Sequence, residues 1–416
     1  VTAGVVDDLS LDRMRSLVAV LGDPQAAYPV IHLTGTNGKG STARMLEALL
    51  RGHGLSVGMY TSPHLERLNE RLVWDGRPIE DEELAEVLSE LATLEPLVEG
   101  EPTWFELVTA AAFAWFAQQA VDVAVVEVGL LGRYDATNVA DGLVAVVTNV
   151  GQDHTDGVGE WRRAVASEKA GIIKPGSTLV LGETSSELRA IFESEEHDRT
   201  WLRDRDFAAE RNRVAVGGRV LDVRTPSGVL EEVFLPVYGE HQGQNLSVAI
   251  AAAEAFFDRP LDPEVVASSL ADLQLPGRFE IMGREPLVVL DGAHNPDGVT
   301  ALTTTLHDDF ATVPVTVVVL GILDGRDPDA MVEALELTPY DVVIATTPPS
   351  PRALPATEVA AAVERAGIEV EVVTEVPDAL ERAKSIATSD DRIVVTGSLY
   401  VVGAARAALD ANGRQK

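Results

Sequence analysis

His32–Thr42 reads HLTGTNGKGST, and what flanks it decides the fold class. The apolar run Val30–Thr34 reads as a buried strand and Ser41–His53 as a helix. In a Gly-rich turn between strand and helix, backbone N–H groups and a helix N-terminus can meet phosphate oxygens. Gly35, Gly38 and Gly40 let the backbone come close, and Lys39 supplies a point charge. The stretch is therefore expected to bind a nucleoside triphosphate through Gly38, Lys39, Gly40 and Ser41. Its spacing departs from G-x-x-x-x-G-K-[ST]: two residues separate Gly35 from Gly38, and Gly40 stands where a metal-binding hydroxyl should follow the lysine. Another group must then hold the metal. Ser41, one position late, competes with Ser62 in TSPHL at the end of the next strand. A Gly-rich turn without any ligand is the bland alternative.

Strand-like and helix-like segments alternate outward from this turn, the pattern of an α/β fold with a parallel sheet. Leu55–Thr61, Asp122–Val128 and Leu143–Asn149 read as strands and Trp104–Gln119 as a helix, giving a mostly parallel, doubly wound P-loop ATPase core. From Asp206 to Pro236, short alternating segments are broken by Gly-Gly and Pro-Ser-Gly, the mark of a small antiparallel part. A helix over Gln244–Phe257 follows. Pro and Gly in LQLPGRFE suggest a boundary: residues 1–273 as an ATP-binding domain, 274–279 as a linker and 280–416 as a second domain. In that second part Leu287–Leu290, Val315–Leu320, Val342–Thr346, Glu369–Val373 and Arg392–Val395 read as five strands of a Rossmann-like α/β domain. The sequence shows no internal repeat and no low-complexity tract.

Composition narrows the function. With 46% hydrophobic and 24% charged residues among 416, the chain is globular in usage rather than disordered. Its longest apolar runs, such as VDVAVVEVGLL from Val121, fall short of the roughly 20 residues of a membrane span. The absence of Cys rules out a disulfide scaffold and a thiolate metal site. The net charge of −33 repels phosphate backbones and anionic lipid, so neither nucleic acid nor membrane is expected as a partner. VTAGVVDDLSL lacks the basic and apolar regions of a signal peptide. A cytoplasmic protein is expected, monomeric because no exposed apolar stripe stands out.

Mg²⁺ prefers oxygen ligands and keeps part of its water shell. Glu127 interrupts the apolar strand VDVAVVEVG near its C-terminal end, where open α/β sheets bind ligands. A buried carboxylate there is costly unless it is paired or coordinates metal, so Glu127 is either a metal ligand or an Arg-paired structural group. In NVGQDHTD, Asp153, His154 and Asp156 follow a strand as ligands or as ordinary polar loop residues. Lys169 in ASEKAGIIKPG sits in a helix-like segment, where a solvated lysine is the default. VVLDGAHNPDG puts Asp291, His294 and Asn295 just after a strand, at a site-forming edge, although all three are also common turn formers.

Taken in order, HLTGTNGKGS, TSPHL, EVGLLGRYDATN, DHTD, SEKAGIIKPG, GEHQGQN, PGRFE, DGAHNP and TGSLYVVG resemble the dihydrofolate synthase/folylpolyglutamate synthase family of the Mur ligase superfamily. The match runs from about Leu11 to Arg406. The GKG-S loop together with SPHL favours the folate branch over the peptidoglycan ligases, whose loops more often read GKT or GKS. The resemblance implies an ATP-dependent ligase. ATP phosphorylates the carboxylate of dihydropteroate or of a reduced folate, and L-glutamate attacks the acyl phosphate to give an amide, ADP and phosphate. It also implies roles. Lys39 and its glycines take the phosphates, Ser62 and Glu127 a first Mg²⁺, and His154 a second with Lys169 carbamylated by CO₂. Gln242, Asn245, Arg278 and Asp291 match nucleotide contacts. Thr103, Trp104, Phe105 and Glu106, with Tyr134, Asp135 and Ala136, match the lining of a pterin or pteroate pocket. His294 and Ser398 fall near the glutamate and phosphoryl-transfer end, and a monovalent cation is admitted as a further cofactor.

Three departures qualify this. LLGRYDATN has Leu131 and Tyr134 where the family commonly has Gly and Leu, which is expected to stiffen the backbone and reshape the pocket. DGRDP (Asp324–Pro328) has Arg326 where Lys is usual. Many members begin with a helix upstream of the segment that reads LSLDRM here (Leu9–Met14), and that helix is expected to be absent or truncated. A bifunctional synthase is the leading expectation. A Mur-type ligase acting on a nucleotide-linked sugar acid and a non-ligase nucleotide-binding ATPase are the competing ones.

Overall fold

A computed structural model of the chain describes residues 10–152 and 159–413. It divides into two compact units. One comprises residues up to His64, Leu68–Pro236 and Gln242–Leu273, and the other Leu65–Arg67, Val237–His241 and the chain from Gln274. Two short stretches of the N-terminal part thus belong to the second unit, something no single cut in the sequence expresses.

The sheet of the first unit contains β1 (Val30–Thr34), β2 (Val57–Tyr60), β3 (Leu72–Trp74), β4 (Arg77–Pro78), β5 (Val123–Glu127), β6 (Gly142–Val147), β7 (Thr178–Leu181) and β8 (Arg199–Leu202), in the order β4-β3-β2-β5-β1-β6-β7-β8. The run β2-β5-β1-β6-β7-β8 is parallel, and β3 pairs antiparallel with both β2 and β4. Every residue of β1 and β5 is buried, as expected of strands covered on both faces. Helix α1 (Asp12–Val20) precedes β1, and α2 (Lys39–Gly52), α3 (Asp81–Leu94), α4 (Trp104–Gln118), α5 (Trp161–Ala170) and α6 (Ser186–Phe192) lie between successive strands. One core packs α1, α3 and α4 through Met14, Leu17, Val87, Phe113 and Phe116 against Tyr60 and Val126, and another packs α5 and α6 through Ala166 and Phe192 against Val147 and Leu181. The expected antiparallel part is a three-stranded meander of β9 (Ala208–Ala215), β10 (Gly218–Thr225) and β11 (Gly228–Leu235). Helices α7 (Glu240–Phe257) and α8 (Pro263–Leu270) come after it.

In the second unit β12 (Glu280–Arg284), β13 (Leu287–Leu290), β14 (Thr316–Leu320), β15 (Val342–Ala345), β16 (Glu369–Val372) and β17 (Arg392–Thr396) form a sheet of order β12-β13-β17-β14-β15-β16. The five predicted strands are its parallel members. β12 is an antiparallel edge that sequence reading missed; it is half-buried and carries Gly283, so it lacks a continuous apolar run. Helices α9 (Pro296–Asp309), α10 (Pro328–Ala334), α11 (Ala356–Arg365), α12 (Val376–Ile386) and α13 (Leu399–Gly413) cover the two faces. Successive strand residues point to opposite faces. Val318 and Val394 pack with Leu302, Met331 and Val359 of α9 to α11, while Val317, Val319 and Val395 pack with Leu380 and Val401 of α12 and α13.

Candidate active site

Because β2, β5, β1 and β6 are parallel, their C-terminal ends share one edge of the first sheet, the edge where α/β sheets take ligands. The Gly-rich loop leaves β1 there and enters α2. Gly35 has φ +152°, and a Cβ on it would stand 1.8 Å from Thr148 Oγ1; Gly38 has φ +82°, and a Cβ would stand 2.3 Å from Asn245 Oδ1. Only glycine satisfies both the backbone and the space. The loop is shaped from the end of β6. Asn37 N donates to Asn149 Oδ1 (3.0 Å), Thr148 Oγ1 donates to Asn37 O (2.7 Å), and Thr36 N donates to Asn149 O (3.1 Å). Sequence reasoning passed over Thr148 and Asn149; polar residues closing the apolar run of β6 were the available signal. Lys39 folds over the loop, its Nζ donating to Gly35 O at 2.9 Å and Thr36 O at 3.3 Å.

Glu127 ends β5, is 4% exposed, and accepts a hydrogen bond from Ser62 N at 3.0 Å. Its two carboxylate oxygens lie 3.7 and 3.8 Å from where a Gly40 Cβ would be. Gly40 therefore leaves the carboxylate open to the first turn of α2, and Ser62 rather than Ser41 is the serine hydrogen-bonded to it. A carboxylate held by the backbone of a serine, whose hydroxyl is a further oxygen donor, is a hard oxygen set that suits Mg²⁺. Among the described residues no three His, Asp or Glu side chains form a metal cage, and Mg²⁺ is commonly held by one or two carboxylates, waters and substrate phosphates.

Lys169, on α5, is buried. Burial, and after it repulsion from Lys39, holds its pKa well below the usual lysine value, which favours a neutral amine. This corrects the solvated-lysine default. The LLGRYDATN loop packs on the same end of α5: Arg133 N donates to Glu168 O (2.8 Å), and a Cβ on Gly132 would meet Glu168 O at 2.8 Å. Within that loop Asp135 accepts from Leu130 N (2.8 Å), Thr137 N (3.0 Å) and Thr137 Oγ1 (2.5 Å). Its carboxylate holds its own turn, and burial raises its pKa. Ala136 is buried, whereas Tyr134 is 43% exposed. Leu131 keeps the left-handed backbone a glycine would adopt, at φ +59°, a conformation that costs an ordinary residue about 1–2 kcal/mol. Thr34 Oγ1 donates to its carbonyl at 2.5 Å. His32 on β1 reaches Thr137 Oγ1 at 2.9 Å, and burial takes its pKa down to about 3.

The TWFE segment divides by role. Thr103 and Glu106 form a capping box at the start of α4: Glu106 N donates to Thr103 Oγ1 (3.2 Å) and Thr103 N to Glu106 Oε2 (2.7 Å). Phe105 packs on Gly129, while Trp104 is 53% exposed under the Arg71 guanidinium, 4.8 Å from its ring. On α7, Asn245 Nδ2 donates to Gln242 Oε1 (3.0 Å), which fixes the amide that faces Gly38. His154, with Asp153 and Asp156, lies outside the described residues.

In the second unit Asp291 follows β13 and accepts from Phe279 N and Ala293 N, both at 2.8 Å. Burial raises its pKa, opposed by Arg278. Gly292 makes room for Arg278, whose Nη1 would stand 2.4 Å from a Cβ there. His294 Nδ1 pairs with Gly292 O (2.9 Å), Asn295 caps α9, and the buried Ser398 accepts from Val401 N (3.2 Å) at the start of α13. Arg278, Asp291 and His294 therefore cluster at the C-terminal edge of β13. Ser398 stands after the C-terminal end of β17.

Two family descriptions match the chain: "Mur ligase middle domain" over residues 33–253 and "Mur ligase, glutamate ligase domain" over residues 277–399. A dihydrofolate synthase/folylpolyglutamate synthase of Mycobacterium tuberculosis is 40% identical, covering 96% of this chain and 90% of the relative. A solved M. tuberculosis folylpolyglutamate synthase complexed with ADP superposes with TM-score 0.91 at 38% identity, covering 97% and 95% of the two chains. A bifunctional folylpolyglutamate synthase/dihydrofolate synthase with Mn, AMPPNP and L-glutamate bound superposes with TM-score 0.86 at 29% identity, covering 97% and 95%.

Proposed function

The chain belongs to the dihydrofolate synthase/folylpolyglutamate synthase family, and from that premise we propose the chemistry its own residues perform. It is an ATP-dependent ligase. The γ-phosphoryl of ATP passes to the carboxylate of a pteroate or folate, and the amino group of L-glutamate displaces phosphate from the acyl phosphate to form an amide. The observation that carries this reading is one juxtaposition: the phosphate-binding loop, the Lys39 ammonium and the Glu127–Ser62 pair meet at the C-terminal edge of a single sheet.

The difficulty of the reaction is bringing two anions together, and these residues answer it locally. The N–H groups of the loop and the N-terminus of α2 face the phosphates, with Lys39 turning from its carbonyl partners to them. Ser62 and Glu127 would hold one Mg²⁺ and His154 with Lys169 a second; when bound, the ions offset the repulsion between phosphate and carboxylate. For Lys169 the required form is a carbamate. Its neutral amine attacks the carbon of CO₂, an N–C bond forms and one proton leaves, which turns a nitrogen donor into an oxygen ligand. Gln242 and Asn245, with Arg278 and Asp291, contact the nucleotide. Trp104, Phe105 and Tyr134 offer aromatic surface to the pterin, while Thr103, Glu106, Asp135 and Ala136 hold that surface in place. His294 and Ser398 serve the glutamate end. We assign the phosphate-binding domain to residues 1–273, a linker to 274–279 and the glutamate-ligase domain to 280–416, in a cytoplasmic monomer.

The test is ADP release with Mg²⁺-ATP and L-glutamate, comparing no acceptor, dihydropteroate and tetrahydrofolate, with mass analysis of products. Turnover with both acceptors is expected and means a bifunctional enzyme. Turnover with tetrahydrofolate alone would make it a dedicated polyglutamylating enzyme. Acceptor-independent turnover, or silence with both, would overturn the ligase assignment.

A further inference from the structure

The second unit holds a cavity of ≈ 190 Å³ that the ligase chemistry does not use. It opens at the N-terminal edge of the second sheet, where Thr316 begins β14 and Arg392 begins β17 as register partners. Asp291 and Ser398 follow the C-terminal ends of β13 and β17, at the other edge of the same sheet. One end of the cavity is apolar, lined by Leu306 of α9, Phe310 just after it, Val318, Leu335 and Val394. The other end is charged.

Arg392 lines that end and is 9% exposed. Its Nε donates to Thr316 Oγ1 at 2.9 Å. Among the described residues its guanidinium makes no other hydrogen bond and no ion pair within 4.0 Å, although Asp341 attracts it electrostatically. A desolvated cation with unused N–H groups on a cavity wall is a carboxylate receptor, since those donors lose strength of solvation without gaining a partner. Asp341 stands on the same wall and accepts from Thr316 N (2.7 Å), Thr338 N (2.7 Å) and Thr338 Oγ1 (2.9 Å). Three of its four lone-pair sites are thereby occupied, leaving one for a ligand donor. Glu336, mostly exposed, adds a second carboxylate at the mouth, with His307 at 3.9 Å. The last turn of α9 also contributes there, and a helix C-terminus favours positive charge.

From this wall we infer that the cavity binds a free α-amino acid with an apolar side chain. Its carboxylate meets Arg392, its ammonium meets Asp341, Glu336 and the end of α9, and its side chain enters the pocket of Leu306 and Phe310. A zwitterion also suits a chain of net charge −33, because it brings no net anion to the surface. The volume compares with the roughly 150 Å³ of an apolar cavity that takes benzene, so a leucine- or phenylalanine-sized group fits. L-Glutamate does not, since its second carboxylate would enter the apolar end.

Calorimetric titration of the full chain with L-leucine and with L-phenylalanine tests this. One saturable site per chain is expected. 4-Methylpentanoate, which lacks the ammonium, and isoamylamine, which lacks the carboxylate, should each bind at least about tenfold more weakly, a step of about 1.4 kcal/mol. L-Glutamate should not displace the amino acid. Arg392→Met should weaken binding by at least about tenfold, and Leu337→Trp, which enlarges a partly buried side chain on the cavity wall, should abolish it. ADP release should be unchanged in Leu337→Trp. No saturable binding of either amino acid up to about 10 mM, equal binding of the single-charge analogues, displacement by L-glutamate, or full binding in a folded Leu337→Trp protein would each overturn the inference. None of these outcomes depends on whether the chain ligates folate.

Discussion

Two glycines that stand two residues apart in the phosphate loop should respond in opposite ways to the same methyl group. In Gly38→Ala the new Cβ must occupy φ +82°, which costs about 1–2 kcal/mol for a non-glycine residue. It would also lie 2.3 Å from Asn245 Oδ1. The Asn245 amide must turn away and give up its bond to Gln242, a further net loss of about 0.5–1.5 kcal/mol. The variant should therefore lose about 1.5–3.5 kcal/mol. Gly40 is already helical, and a Cβ there would meet Glu127 at 3.7 Å, an ordinary contact. Gly40→Ala should gain about 0.5–1 kcal/mol from the lower entropy cost of alanine in a helix. Yet its methyl group faces the Glu127 carboxylate, so the stabilised protein should release ADP more slowly. Denaturant unfolding followed by tryptophan fluorescence separates these effects cleanly. All five tryptophans (Trp74, Trp104, Trp115, Trp161 and Trp201) belong to the first unit, so the signal reads the unit that holds the loop. If both variants shift in the same direction, or if Gly38→Ala stays within about 0.5 kcal/mol of wild type, the typical error of such comparisons, the steric reading of the loop is wrong.

Two further outcomes follow from buried charges. Glu127→Gln keeps the shape and the acceptor for Ser62 N but removes the charge; the Mg²⁺ concentration giving half-maximal ADP release should rise by at least about tenfold, or 1.4 kcal/mol, and an unchanged midpoint would remove Glu127 from the metal site. His32, with its pKa at about 3 in the fold against 6.5 outside it, binds its proton in the unfolded chain first. Its neutral form therefore gives full stability above pH 6.5, and that contribution is lost as pH falls towards 3. Between pH 7 and pH 5 the loss is about 2 kcal/mol, and His32→Gln should flatten the fluorescence-detected slope by that amount; an equally steep slope in the variant would sink the assignment.

Some strands buried on both faces are easy to read, although the equally buried β7 went unread. β1 occupies the predicted Val30–Thr34, and α4 begins at Trp104 as predicted. The meander β9–β11 was legible because Gly217 and Pro226–Gly228 punctuate it. The β3–β4 hairpin was not, even though Asp75 and Gly76 form the left-handed pair that joins it. Strands of three and two residues are too short to display alternation. β12 escaped because a half-buried edge strand need not be apolar. The P-loop was visible from its glycines, but the partners that shape it, Thr148 and Asn149, are ordinary strand-end residues whose role exists only once β6 lies beside β1.

Chemical type alone cannot separate the residues that hold this site from those that react in it, because the fold draws both from Ser, Thr, Asp, Asn and Glu. Their hydrogen bonds can. Asp135 receives three donors from its own turn, and Asp291 receives two backbone N–H groups from segments 279 and 293. Thr103, Glu106, Asn295 and Ser398 each close a helix start. Such groups hold the local backbone with part of their hydrogen-bonding capacity before any ligand arrives. Glu127 differs in that a buried strand carries its carboxylate to the sheet edge beside the first turn of α2, and Lys169 differs in that burial and Lys39 work against its charge. Placing a costly carboxylate and a lysine whose charge is disfavoured near one phosphate loop is poor design for stability alone. It is coherent design for a site whose incoming ligands carry the missing charges.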